Sequence, residues 1–153
     1  MTALAPSFAE ISGRIRFPQT TFVLLIAADA SGVPDSMLHD CVIRVLEAGA
    51  RCVCTWGPEC ERVHDAFDFA ARELGLNRDD AVVMTTWHDD EPLREATWYA
   101  ANAAYPDEAY QGAETNIVAV SVGSHEWVTE ITDYLAAGTP LSDEDKGVSE
   151  TGS

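Results

Sequence analysis

Four apolar runs, each followed by a stretch with helical spacing, divide this chain: 22–28, 51–56, 81–87 and 116–122. Strand-then-helix units repeated in this way build a parallel sheet covered by helices, because parallel neighbours need a crossover long enough to hold a helix. The first run, Phe22-Val23-Leu24-Leu25-Ile26-Ala27-Ala28, is apolar at every position, as a strand covered on both faces must be. Asp29 and Ser31-Gly32 end it, Pro34 suits the start of the next helix, and Gly49 suits its stop.

The later units repeat the pattern. Gly57-Pro58 turns the chain into a helix over 60–74 with a stripe of Val63, Phe67, Ala70 and Leu74. Asp89-Asp90-Glu91-Pro92 opens a third helix, with Asp90 or Glu91 as its cap, and Gly123-Ser124 leads into a fourth built on Val128, Ile131 and Leu135. The expected fold is a three-layer α/β domain of Rossmann-like or flavodoxin-like type. It would have a four-stranded, mainly parallel sheet in the order 2-1-3-4 and helices on both faces.

Residues 1–21 read as an N-terminal arm. Ile11, Gly13, Ile15 and Phe17 alternate with polar residues, which predicts an extra strand at the sheet's edge, ended by Pro18. Residues 22–137 form the α/β domain, and the acidic stretch 138–153 is expected to be disordered.

The charge narrows the choice of partners. Twenty-six acids oppose nine bases, for a net −17, and Lys146 is the only lysine. Such a surface repels phosphate backbones and anionic membranes, and favours a protein partner, a basic one above all, or bound cations. The opening residues lack a basic segment followed by a long apolar core, and no run approaches the roughly 18 apolar residues of a membrane helix. With Cys41, Cys52, Cys54 and Cys60 outside any CxxC pair, reduced thiols in a cytoplasmic protein are expected.

In sheets of this type ligands bind beyond the carboxyl ends of the strands. There lie Asp29, Trp56, Trp87, His88, Asp89, Asp90, Ser124 and His125. If the first and third strands are neighbours, Asp29 and the Asp89-Asp90 pair share a rim, where carboxylates hold divalent cations through oxygen and His88 assists. Acids in a helix's first turn are equally explained by the helix dipole. Cys60 and His64, four apart on one helix face, form a second candidate metal or thiol site with His88 as a further ligand, although burial alone accounts for Cys60. Ser124 and His125 sit where a helix N-terminus binds an anion or is merely capped. Trp56 and Trp87 are candidates for stacking a ligand or anchoring a partner, or for packing under a loop. Trp98-Tyr99 cannot both face the core, so one is a candidate contact, including one between copies of the chain.

Several activities are excluded by missing parts. There is no GxGxxG, no GxxxxGK[ST] and no GxSxG elbow. A phosphorylatable receiver domain has a similar layout but needs a lysine near its last strands and an acidic pair after its first. Here the acidic pair follows the third run. The sequence therefore points to a non-catalytic acidic binding or adaptor module that recognises a protein partner or a small ligand at the sheet's carboxyl rim. A small metal-assisted hydrolase or nucleotide-processing enzyme, using Asp29, His88, Asp89 and Asp90 with a divalent metal, is the alternative.

Overall fold

A computed structural model describes residues 2–4, 7–13, 17, 20–111 and 116–137. The strands are β1 (Thr2–Leu4), β2 (Phe22–Ala28), β3 (Ala50–Trp56), β4 (Met84–His88) and β5 (Asn116–Val122). The helices are α1 (Phe8–Gly13), α2 (Asp35–Ala48), α3 (Cys60–Glu73), α4 (Leu93–Asn102) and α5 (His125–Ala136). All strand pairings are parallel, and the sheet runs β1-β5-β2-β3-β4. The α/β class, the parallel sheet and the two helical layers are as expected.

The strand order is not. Numbered by the four core strands alone it is 3-2-1-4, not 2-1-3-4. The most apolar strand, β2, is interior in both orders, but its neighbours are β3 and β5, and the third core strand, β4, lies at the edge. Right-handed crossovers explain the layers. From β2 to β3 to β4 the chain steps one way, so α2 and α3 share a face. It then steps back past β2 to β5, which places α4 on the opposite face.

Two cores result. Phe22, Leu24, Ile26, Val53, Val118 and Val120 pack with Leu38, Val42 and Leu46 of α2 and Val63, Phe67 and Ala70 of α3. On the other face Val23, Leu25, Ala27, Cys52, Cys54 and Ala119 pack with Leu93, Ala96 and Ala100 of α4 and Ile131 of α5.

Of the edge strand expected over 11–17, residues 11–13 are instead the end of α1, and the N-terminal edge strand is β1, earlier in the chain. The cause is a reciprocal cap: Glu10 N donates to Ser7 Oγ (3.2 Å), and Ser7 N donates to Glu10 Oε1 (2.9 Å). Phe8 and Ile11 then turn into the core beside α2. Positions 14–16 and the tail 138–153 lie outside the described residues.

The third strand begins at Met84 rather than at residue 81, because side chains take the backbone donors before it. Val83 N donates to Asn77 Oδ1 (2.6 Å) and Val82 N to Asp107 Oδ2 (2.9 Å). The cap of α4 is Pro92, not Asp90 or Glu91, and no side chain caps it.

One turn fixes how the rim is built. Gly57 has φ +114°, and a Cβ there would lie 2.1 Å from Ala28 O, so only glycine lets the β3–α3 turn pass over the end of β2. Ala30 N donates to Pro58 O (3.1 Å), and Arg62 ties the same corner through Ala30 O (2.8 Å), Val33 O (2.6 Å) and Asp35 Oδ1 (2.6 Å).

Candidate functional site

The revised strand order separates the proposed carboxylate site. Asp29 follows β2 and Asp89-Asp90 follow β4, with β3 between them. At the usual spacing of strands the two ends are about 10 Å apart. Asp29 is exposed and closes its own turn, Oδ1 accepting from Ser31 N (2.9 Å), and the hydrogen bonds from Ser31 lower its pKa. Asp89 and Asp90 are exposed on the bend beyond β4. Neighbouring strands β2 and β5 bring Asp29 to the same stretch of rim as Ser124 and His125 instead. There Ser124 Oγ caps α5 by accepting from Trp127 N (3.2 Å), and His125 is exposed at the helix's first position.

The proposed sulfur–imidazole set is divided by the sheet. Successive residues of β4 face opposite sides. Trp87 points toward α3, where its ring meets His64 edge-on at 4.7 Å; His88 points toward α4, where its ring lies 5.0 Å from that of Tyr99. Cys60, buried at the start of α3, has its pKa raised by burial, and His64 Nδ1 lies 3.0 Å from Asp65 Oδ1. Cys60, His64 and His88 therefore do not converge. Among the described residues, no three His, Cys, Asp or Glu side chains are placed to share a metal ion.

Trp56 is held in place. Its Nε1 donates to Glu91 O (2.8 Å), and its ring meets Trp127 edge-on at 5.2 Å, so it packs beneath the β4–α4 loop. Trp87 is 44% exposed on the edge strand and remains a surface group.

What the structure assembles is a cluster on the α4 side of β3 and β4. The register sets Cys54 opposite Thr86 and Trp56 opposite His88, and all four face the same layer. His88 Nε2 lies 2.9 Å from Thr86 Oγ1, and Nδ1 lies 3.1 Å from Glu91 Oε1.

Cys54 lies in the same layer, and hydrogen bonding from Cys52, then from His88 and Thr86, holds its pKa below the ordinary thiol range against the effect of burial. The partner thiol of Cys52 is pushed up, chiefly by that same bond. Burial is the strongest single influence on His88 and disfavours its charge, but Cys54 and Glu91 together outweigh it and raise the pKa.

An imidazole between a thiol and a carboxylate is the order found in nucleophilic sites. Here Cys54 is wholly buried and His88 is 8% exposed, so the cluster lies inside the domain with its sulfur out of reach of a substrate.

The outer member of the cluster, Glu91, is partly exposed. Glu91, Glu95, Trp98 and Tyr99 line a depression of about 300 Å³ at the carboxyl rim. Glu95, Trp98 and Tyr99 lie along the flank of α4, beside its buried face of Leu93, Ala96, Thr97 and Ala100. Sequence reasoning marked Trp98-Tyr99 as a contact but missed Glu91 and Glu95. The available signal for Glu95 was its spacing: positions 95, 98 and 99 recur at helical intervals along α4.

Fold and site together define an acidic, doubly wound α/β protein with an aromatic and carboxylate depression at its rim. Residues 3–137 match the family described as Domain of unknown function (DUF7684), and the chain belongs to that family. A search of curated proteins finds no match. Among the described residues no helix is long and apolar enough to cross a membrane.

Proposed function

We propose that this protein is a non-catalytic acidic binding or adaptor module that recognises a protein partner at the carboxyl rim of its sheet. The observation that carries this reading is the depression itself. It combines aromatic walls, which are favoured at protein interfaces, with open access, whereas the thiol and imidazole behind it, Cys54 and His88, are buried. The unpaired cysteines favour action in the reducing cytoplasm.

A photo-crosslinking amino acid at Arg94, which is exposed on α4 beside the depression, tests the reading in an extract of the source organism. One discrete crosslinked polypeptide is expected, fading as salt rises, because exposed charges are screened over about 8 Å at physiological ionic strength. The same reagent at Glu47, exposed on α2, serves as control. No product from position 94, or an equal product from position 47, overturns the reading. Saturable binding of Mg²⁺, Mn²⁺ or Zn²⁺ that Asp89→Ala with Asp90→Ala abolishes would replace it with the metal-assisted hydrolase.

A further inference from the structure

We infer that the depression lined by Glu91, Glu95, Trp98 and Tyr99 is a receptor for one cationic side chain, an arginine presented by a basic segment of the partner. The inference rests on the binding-module reading and adds the chemistry of what is bound.

Four observations agree. The walls are two adjacent aromatic side chains, Trp98 and Tyr99, whose ring faces attract a cation. Two carboxylates share the lining, Glu91 from the β4–α4 loop, held there by His88, and Glu95 from the first turn of α4. The volume, about 300 Å³, lies at the small end of ligand sites, matching one long side chain rather than a nucleotide. The whole protein carries −17, a field that draws a basic segment in and turns phosphates away.

Arginine suits this lining better than lysine. Its planar guanidinium stacks on an aromatic face while its fork donates to carboxylates, whereas a lysine offers a compact, strongly hydrated charge. A neutral ligand of the same shape would cover the Glu95 carboxylate and return nothing to it, so the lining selects by charge as well as by shape.

The test uses three capped tripeptides of the form Gly-X-Gly, with X arginine, lysine or citrulline, the last being arginine's uncharged isostere. Binding to the full chain is followed through the Trp98 indole N–H and Tyr99 ring resonances. The arginine peptide is expected to shift them saturably, the lysine peptide to bind more weakly, and citrulline at least about tenfold more weakly. Glu95→Gln, at an exposed position where folding is not at stake, should weaken arginine about threefold, while the charge-matched Glu47→Gln should not.

Equal binding of citrulline and arginine overturns the inference, as does equal weakening by the two glutamine variants, which would mark diffuse attraction to an acidic surface. If the arginine peptide fails while the crosslink from position 94 persists, the inference falls and the binding-module reading stands. If the arginine peptide binds as expected and no crosslink forms, the adaptor reading falls alone.

Discussion

His88 Nδ1 lies 3.1 Å from Glu91 Oε1, so the last residue of the edge strand is fastened to the loop that forms the mouth of the rim depression. Glu91 thereby belongs to two systems, the buried thiol–imidazole cluster and the open aromatic surface. Glu91→Gln should lower the pKa of His88, followed through its imidazole carbon-bound protons. The sign for stability follows from the raised native pKa. The contribution is complete below the ordinary value of 6.5 and is lost as pH rises through the native pKa. In Glu91→Gln that pH dependence should shrink; an unmoved His88 pKa would show that the contact does not hold in solution.

Cys54 should behave in the opposite sense. Its native pKa is lowered, so its contribution to stability is present above the ordinary thiol range and is lost as pH falls through the native value. Thiolate absorbance in the native protein should rise at a pH below that of an ordinary cysteine, and Cys54→Ser should remove that step. Despite its thiolate character the sulfur is buried, as are the other three cysteines. A thiol reagent should therefore react slowly with the folded protein and with all four thiols after denaturation.

Gly57→Ala should destabilise the fold by at least about 2 kcal/mol, since both the left-handed φ and the collision with Ala28 O must be relieved. Gly32→Ala provides the comparison. Its φ is +75° but nothing lies within 4 Å of the added carbon, so it should lose about 1 kcal/mol. Urea unfolding reads both, and equal losses would show that the close approach at Gly57 is unimportant.

Arg62→Ala should destabilise by about 2 kcal/mol, because the guanidinium serves two backbone carbonyls and the Asp35 carboxylate across the β2–α2 corner. Arg62→Lys should recover little of the loss, a single ammonium being unable to span acceptors placed for a planar fork. Full rescue by lysine would assign the effect to charge alone.

The strand-helix alternation made the fold class legible, because burial on both faces leaves an unmistakable run such as Phe22–Ala28. Strand order was not legible in the same way: right-handed crossovers are compatible with both 2-1-3-4 and 3-2-1-4. A clue lay in Met84-Thr85-Thr86-Trp87-His88, too polar for a central strand and suited to an edge. Ser7-Phe8-Ala9-Glu10 likewise carried a capping-box signature that outweighs the alternation at Ile11 and Gly13. The link from Cys54 to His88 required the register between β3 and β4, which apolar patterning does not encode.

Along α4 the residues that hold the domain together and those that face the depression occupy different sides. Leu93, Ala96, Thr97 and Ala100 are buried, while Glu95 and Trp98 stand on the flank. The lining of the depression can therefore change without endangering the fold: exchanging the flanking pair would alter its chemistry on an unaltered scaffold. The small buried side chains impose the opposite constraint. Enlarging Ala96 or Ala100 would lift the whole helix, and every side chain that lines the depression from it, away from the sheet.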